Sequence, residues 1–206
     1  MPPALSWSGM YIGVNGGYAW SANSNQLALL TDRPTGLNST GWLGGGQIGY
    51  NYQLSRMVLG VETDLAASSI GSAVHDLNFG DNTKLRLGDV GTLRGRVGYT
   101  FDRVLVYATG GFAYGSLSSN VNGPVLLDGP YSYSGVATGY ALGAGVEYAI
   151  DKNWSVRTEY QYINFGKHDP RNPSGAPYSQ IAGGGYATVK SDEFNLFRIG
   201  LNYKLN

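Results

Sequence analysis

The sequence predicts an all-β protein: an eight-stranded antiparallel up-and-down transmembrane β-barrel. Three observations predict it. Helix formers are scarce, with four Glu, five Lys and three Met in 206 residues, while Gly (32) and Tyr (16) recur at strand-like spacing. Eight such segments are joined by connections that strictly alternate between short and long. Charges are few, 14% against about 25% in an ordinary soluble domain, and in several segments they oppose an apolar face. The length suits one domain, residues 1–206, with 1–7 as a short N-terminal lead.

The segments, in order, are 8–20, 40–53, 57–69, 84–101, 104–117, 135–150, 154–165 and 193–205. The first two are marked by closely spaced Gly and Tyr. In the third, Leu59, Val61, Thr63 and Leu65 oppose Glu62 and Asp64. In the fourth, Leu93, Val97, Tyr99 and Phe101 oppose Thr92, Arg94, Arg96, Gly98 and Thr100. The fifth has no polar face, and its phase stays open. In the sixth, Tyr140, Leu142, Ala144, Val146 and Tyr148 oppose Gly143, Gly145 and Glu147. In the seventh, Trp154, Val156, Thr158, Tyr160 and Tyr162 oppose Ser155, Arg157, Glu159 and Gln161. In the eighth, Phe197, Ile199, Leu201, Tyr203 and Leu205 oppose Arg198, Gly200, Asn202 and Lys204.

Only Leu54-Ser55-Arg56, Asp102-Arg103 and Asp151-Lys152-Asn153 join the second to third, fourth to fifth and sixth to seventh segments. The remaining connections, about 21–39, 70–83, 118–134 and 166–192, are long and rich in Pro, Asn, Ser and Asp. All tight turns therefore fall at one end of the barrel and all long loops at the other, which reads as short periplasmic turns and four long outer loops.

Composition removes other classes. Fourteen basic residues cancel fourteen acidic ones, which excludes the basic face a nucleic-acid binder needs. A chain 42% hydrophobic and 13% aromatic is not disordered, and Gly lacks the three-residue period of collagen. There is no cysteine, hence no disulfide, Cys–zinc site or thiol nucleophile. No apolar run approaches the ~18 residues of a transmembrane helix, but a spanning strand needs only ~9–11. Met1-Pro2-Pro3-Ala4 has neither a basic n-region nor an apolar h-region, so the expectation is a mature chain from which a signal has been removed.

Alternation alone does not say which face is inside, and a soluble lipocalin-like barrel would put the apolar face inward. Three features favour the membrane. The charged faces are mostly Gly, Ser, Asn and Gln with isolated charges, unlike a Lys- and Glu-crowded solvent face. The apolar faces carry aromatics at two levels: Tyr52, Tyr99, Phe101, Tyr148, Trp154 and Tyr203 by the turns, and Trp20 and Trp42, with Tyr18 and Tyr114, toward the loops. Finally, eight strands can close, as lipid requires. The inward charges are then Glu62, Asp64, Glu147 and Glu159 against Arg94, Arg96, Arg157, Arg198 and Lys204. An eight-stranded interior is only just filled by side chains, so these groups should pair into a salt-bridge core rather than line a wide pore.

Trp7-Ser8-Gly9-Met10-Tyr11-Ile12-Gly13-Val14-Asn15-Gly16-Gly17-Tyr18 resembles the opening strand of the small outer-membrane β-barrel family of porin-like, OmpA-type surface proteins of Gram-negative bacteria. Gly46-Gln47-Ile48-Gly49-Tyr50-Asn51-Tyr52 and Leu93-Arg94-Gly95-Arg96-Val97-Gly98-Tyr99 resemble the same family, and Tyr107-Ala108-Thr109-Gly110-Gly111-Phe112-Ala113-Tyr114-Gly115 resembles its fifth strand. Trp154 to Tyr160 and Phe197 to Lys204 resemble its last two strands. The likeness covers the strands, not the loops. One departure is the ending Leu205-Asn206, where such barrels usually carry an aromatic. The resemblance implies an integral protein of the cell outer membrane, in contact with its lipids and lipopolysaccharide; a monomer is favoured, with the oligomeric state left open. It implies no cofactor and a structural or envelope role with at most a narrow pore for small solutes. The alternative it implies is a surface protein that binds haem, a glycan or a host protein through its long loops, where Tyr131, Tyr133, Tyr178 and Tyr186 lie.

Other motifs carry little chemistry. Gly44-x-Gly46-x-x-Gly49 matches the dinucleotide fingerprint but lies inside a strand, with no helix to follow. His75 and His168, with Asp76 and Asp169 beside them, fall short of the three or four ligands zinc requires. No nucleophile motif is present, and no enzyme, catalytic residue or metal site is expected.

Overall fold

A computed structural model describes residues 5–21, 25–27, 35–37, 39–75, 82–122, 131–166 and 193–205. Its strands are β1 (Gly9–Ser21), β2 (Asn25–Leu27), β3 (Thr35–Leu37), β4 (Thr40–Leu54), β5 (Met57–Ser68), β6 (Gly71–His75), β7 (Asn82–Phe101), β8 (Val104–Asn122), β9 (Tyr131–Ala149), β10 (Trp154–Asn164) and β11 (Glu193–Lys204). β6 carries the line of β5 onward beside β7, with a single pairing to β4 at Gly71 and Thr40, so the wall has eight staves. β1 pairs with both β11 and β4, which closes the sheet into a barrel. β2 and β3 form a separate two-stranded hairpin within the first long connection, which the sequence reads as loop.

The register fixes the shape. Following partners once round the wall, the path runs Tyr11, Gly49, Glu62, Arg94, Gly111, Ala141, Ile163, Phe194 and returns to β1 at Ser21, ten residues along from Tyr11. A stagger of that size over eight staves tilts the strands by about 40°. Trp42 and Tyr52 stand ten residues apart on the outer face of β4. At a rise of ~3.3 Å per residue, that tilt puts them about 25 Å apart along the barrel axis, the height of a membrane barrel's apolar band.

The staves alternate with the apolar set outward, as predicted where the sequence assigns a phase: Leu93 and Val97 on β7 and Phe197, Ile199 and Leu201 on β11 are exposed, as are Met10, Ile12 and Val14 on β1. The aromatics Trp42, Tyr52, Tyr99, Phe101, Tyr148, Trp154 and Tyr203 are outward and exposed, and Trp20 is outward and half-buried. Neighbours within each level touch, as in Tyr18 with Trp42 (5.2 Å) and Trp154 with Tyr203 (4.9 Å between ring centroids). β8, whose phase its sequence leaves open, turns Leu105, Tyr107, Thr109, Ala113 and Gly115 inward, and Val106, Phe112 and Tyr114 outward.

Two of the tight turns begin with a residue in the left-handed region, Ser55 (φ 57°) and Asp102 (φ 52°), a conformation that short polar side chains tolerate. In the third, one Asp151 carboxylate oxygen accepts from the backbone N–H groups of Asn153 and Trp154, both at 2.7 Å. Those two donors favour the ionised form and hold the carboxyl below its ordinary range. A carboxyl lowered on folding contributes stability that is present above about pH 4, the unfolded value, and is lost as pH falls through the lower folded value. Asp151→Ala is therefore expected to flatten part of the acid-induced drop in the urea midpoint while leaving its pH dependence above neutrality unchanged.

Candidate functional site in the barrel interior

The interior is built by parity. Strand alternation sends Glu62 and Asp64 of β5, Arg94 and Arg96 of β7, Glu147 of β9, Arg157 and Glu159 of β10, and Arg198 of β11 into the lumen, and all eight are buried. Arg94 is the hub. Its Nη2 donates to Glu62 Oε1 at 2.8 Å and to Asp64 Oδ2 at 3.1 Å, and its Nη1 donates to Glu159 Oε1 at 2.6 Å and Thr109 Oγ1 at 2.9 Å. Arg94 and its three acids have no exposed side-chain surface. Arg157 also pairs with Glu62, and Arg198 Nη1 donates to Asp64 Oδ1 at 2.9 Å. Nearer the turns Arg96 pairs with Glu147, and its guanidinium carbon lies 3.8 Å from the centre of the Tyr107 ring.

Hydroxyls and amides complete the carboxylates. Tyr11 Oη donates to Glu62 Oε2 at 2.6 Å, and Tyr107 Oη to Glu159 Oε2 at 3.0 Å. Thr92 donates to Asp64, and Ser155 and Asn202 both donate to Glu147. Four acids and four arginines make this layer electrically neutral, and each carboxylate has at least two side-chain donors, which burial in a narrow barrel demands. Small residues make the room. A Cβ on Gly200 would stand 3.2 Å from the Arg157 side chain, and one on Gly145 would run into the Tyr107 ring at 2.6 Å.

Lys204 stands apart from this network. It occupies the last inward position of β11, is only half-buried, and donates to the Ser6 carbonyl at 2.7 Å at the turn-end mouth. The N-terminal lead crosses the barrel there, and Lys204 meets that backbone before any carboxylate.

The sequence reading anticipates a polar lumen; the structure adds an apolar layer above and below it. On the loop side Leu43, Ile70, Leu87, Ile163, Phe165, Phe194 and Leu196 pack with inward alanines, Phe165 and Phe194 edge to face at 6.2 Å. On the turn side Trp7 packs with Val58, Leu105, Tyr107 and Ala149. Trp7 Nε1 donates to Thr100 Oγ1 at 2.8 Å and its backbone N–H to Gln53 Oε1 at 2.7 Å, so the lead plugs the mouth. The signal was present in the strands: the inward face of β10 and its extension reads Ser155, Arg157, Glu159, Gln161, Ile163, Phe165, turning from polar to apolar along one face.

The remaining sequence candidates lie elsewhere. The glycines of Gly44-x-Gly46-x-x-Gly49 sit within β4, which is followed by a tight turn and another strand. His75 ends β6, while Asp76, His168, Asp169, Tyr178 and Tyr186 are outside the described residues; Tyr131 and Tyr133 open β9. Among the described residues no group of three or more His, Cys, Asp or Glu is placed to hold a metal.

A model of the outer membrane protein β-barrel domain matches residues 2–204. The chain belongs to this family. A Brucella melitensis relative, the 31 kDa outer-membrane immunogenic protein, is 35% identical over 212 aligned positions, covering 97% of this chain and 84% of the relative. The 22 kDa outer membrane protein of Rhizobium leguminosarum bv. viciae is 34% identical over 176, covering 84% and 72%. The crystal structure of Neisserial surface protein A matches over 96% of this chain and 98% of its own, with a TM-score of 0.50 at 17% identity, and shows the shared fold. As a member of the outer membrane protein β-barrel family, the protein is an integral protein of the outer membrane, and its exposed apolar wall is its lipid-facing surface.

Proposed function

We propose that the protein is a closed structural barrel of the cell envelope. The observation that carries this reading is the layering of the interior: a neutral, mutually bonded set of four acids and four arginines, sealed above and below by apolar side chains. An ion entering from either end would leave water for hydrocarbon-like packing and then displace charges that already have partners. We also read the protein as a non-enzyme. The hydroxyls of Tyr11, Thr92, Tyr107 and Ser155 each donate to a carboxylate that an arginine already engages, which ties up the acceptor a general base would offer.

In planar bilayers the purified full chain is expected to give no stable step conductance above the bare membrane. A large, ungated, long-lived conductance would overturn the closed-barrel reading.

A further inference from the structure

The zero net charge of the chain is not matched at the turn end of the barrel. The interior layer holds four acids and four bases. At the turn end stand Arg56, Arg103, Lys152 and Lys204 against Asp102 and Asp151, an excess of two positive charges. The rest of the sequence has six bases against eight acids, an excess of two negative charges.

The turn-end cations are distributed in a particular way. The eight staves form four pairs at this end, and each pair brings one cation: Arg56 between β4 and β5, Arg103 between β7 and β8, Lys152 between β9 and β10, and Lys204 at the seam of β11 and β1. Arg56, Arg103 and Lys152 are exposed. Backbone bonds stitch these turns to the adjoining staves: Thr100 N to Arg56 O at 2.8 Å and Ala149 N to Arg103 O at 2.8 Å. Arg103 Nη1 also donates to the Ile150 carbonyl at 3.0 Å. Of the two acids, Asp151 accepts from backbone N–H groups and also faces Arg103, while Asp102 faces Arg56, so the excess of two positive charges is net of both. Each exposed cation lies within four residues of an outward aromatic: Arg56 of Tyr52, Arg103 of Phe101, Lys152 of Trp154. That is one step beyond the girdle, at the depth where phosphate headgroups lie.

We propose that Arg56, Arg103 and Lys152 form a ring of separate sites for anionic phospholipid headgroups in the leaflet that the turns face. The spacing selects this partner. One cation at each of three separate hairpins, next to the aromatic belt, meets a ring of individual lipids. An acidic polymer crossing the end of the barrel would need its cations gathered at the mouth. The proposal does not depend on whether the lumen conducts.

The test reconstitutes the full chain in phosphatidylcholine vesicles doped with spin-labelled phosphatidylglycerol or spin-labelled phosphatidylcholine, and reads the motionally restricted fraction. At about 1 kcal/mol per cation near an anionic headgroup, phosphatidylglycerol is expected to associate roughly fivefold better at low salt. The preference should fade toward parity at 1 M salt, where the Debye length is about 3 Å. It should likewise vanish in the Arg56→Gln/Arg103→Gln/Lys152→Gln variant, whose heat-modifiable gel migration stays that of the parent. Equal association of the two lipids with the parent chain, or a preference that survives in the triple variant, would overturn the proposal. So would binding of soluble acidic cell-wall glycopeptide fragments, lost in the triple variant, in the absence of any phospholipid preference.

Discussion

Arg94→Ala is expected to destabilise the barrel by about 3–5 kcal/mol, the cost of breaking a buried ion pair from one side. Arg94 alone bonds three carboxylates, Glu62, Asp64 and Glu159, all fully buried. Its removal leaves Glu159 with Tyr107 as its remaining side-chain donor, and leaves Glu62 and Asp64 with one arginine each. Three carboxylates would then face one another where water does not reach. Lysine is not an adequate replacement, because its single ammonium lacks the planar fork that serves Glu159 on one nitrogen and Glu62 and Asp64 on the other. The measurement is the urea midpoint of the reconstituted protein, followed by heat-modifiable migration. Adding Glu159→Gln to Arg94→Ala should recover part of the loss, since it removes one of the stranded charges. A loss below about 1 kcal/mol would show that the Arg94 network is solvated and adds little to the fold.

Most of this architecture was legible in the chain because strand parity and turn length are local. Glu62 and Asp64, two residues apart, share a face whatever the tertiary structure does. The tight turns at Ser55-Arg56 and Asp102-Arg103 force neighbouring staves to be antiparallel. The illegible parts depend on what crosses the barrel. β8 offers no polar face to fix its phase, because its inward positions, Leu105, Tyr107, Thr109, Ala113 and Gly115, are as apolar and small as its outward ones. Tyr107 lies on that strand of open phase, and only Glu159, 52 residues later, gives its hydroxyl an inward partner. Trp7 belongs by sequence to a short lead, and only the Thr100 hydroxyl, 93 residues on, gives its indole a reason to turn inward. Lys204 has the parity of a lumen charge but meets the Ser6 backbone at the mouth, a consequence of where the lead runs. Parity says which way a side chain points; its partner comes from staves far away in the sequence.

The second large effect tests the outer face. Val14→Arg is expected to cost about 2–4 kcal/mol, the penalty for a cation near the middle of the bilayer on the lipid face of a barrel. Val14 is 63% exposed, the kind of site where an arginine on a soluble protein would be nearly neutral. It pairs with Gly46, which lies between Trp42 and Tyr52, the two aromatics that bound the apolar band on β4. An arginine there has about 10 Å of hydrocarbon to cross before its head reaches the Tyr18 level, four residues away along a tilted strand. Ser118→Arg provides the comparison. It is exposed on β8, four residues past the outward Tyr114 toward the loops, where the depth-dependent cost falls to about 0–1 kcal/mol. Both variants add the same side chain to an exposed strand position, so propensity and net charge cancel between them and only depth in the membrane differs. Urea unfolding in lipid vesicles should separate their midpoints in that order. In a soluble barrel both substitutions would fall within about 0.5 kcal/mol of the parent, so equal midpoints would remove Val14 from the lipid face.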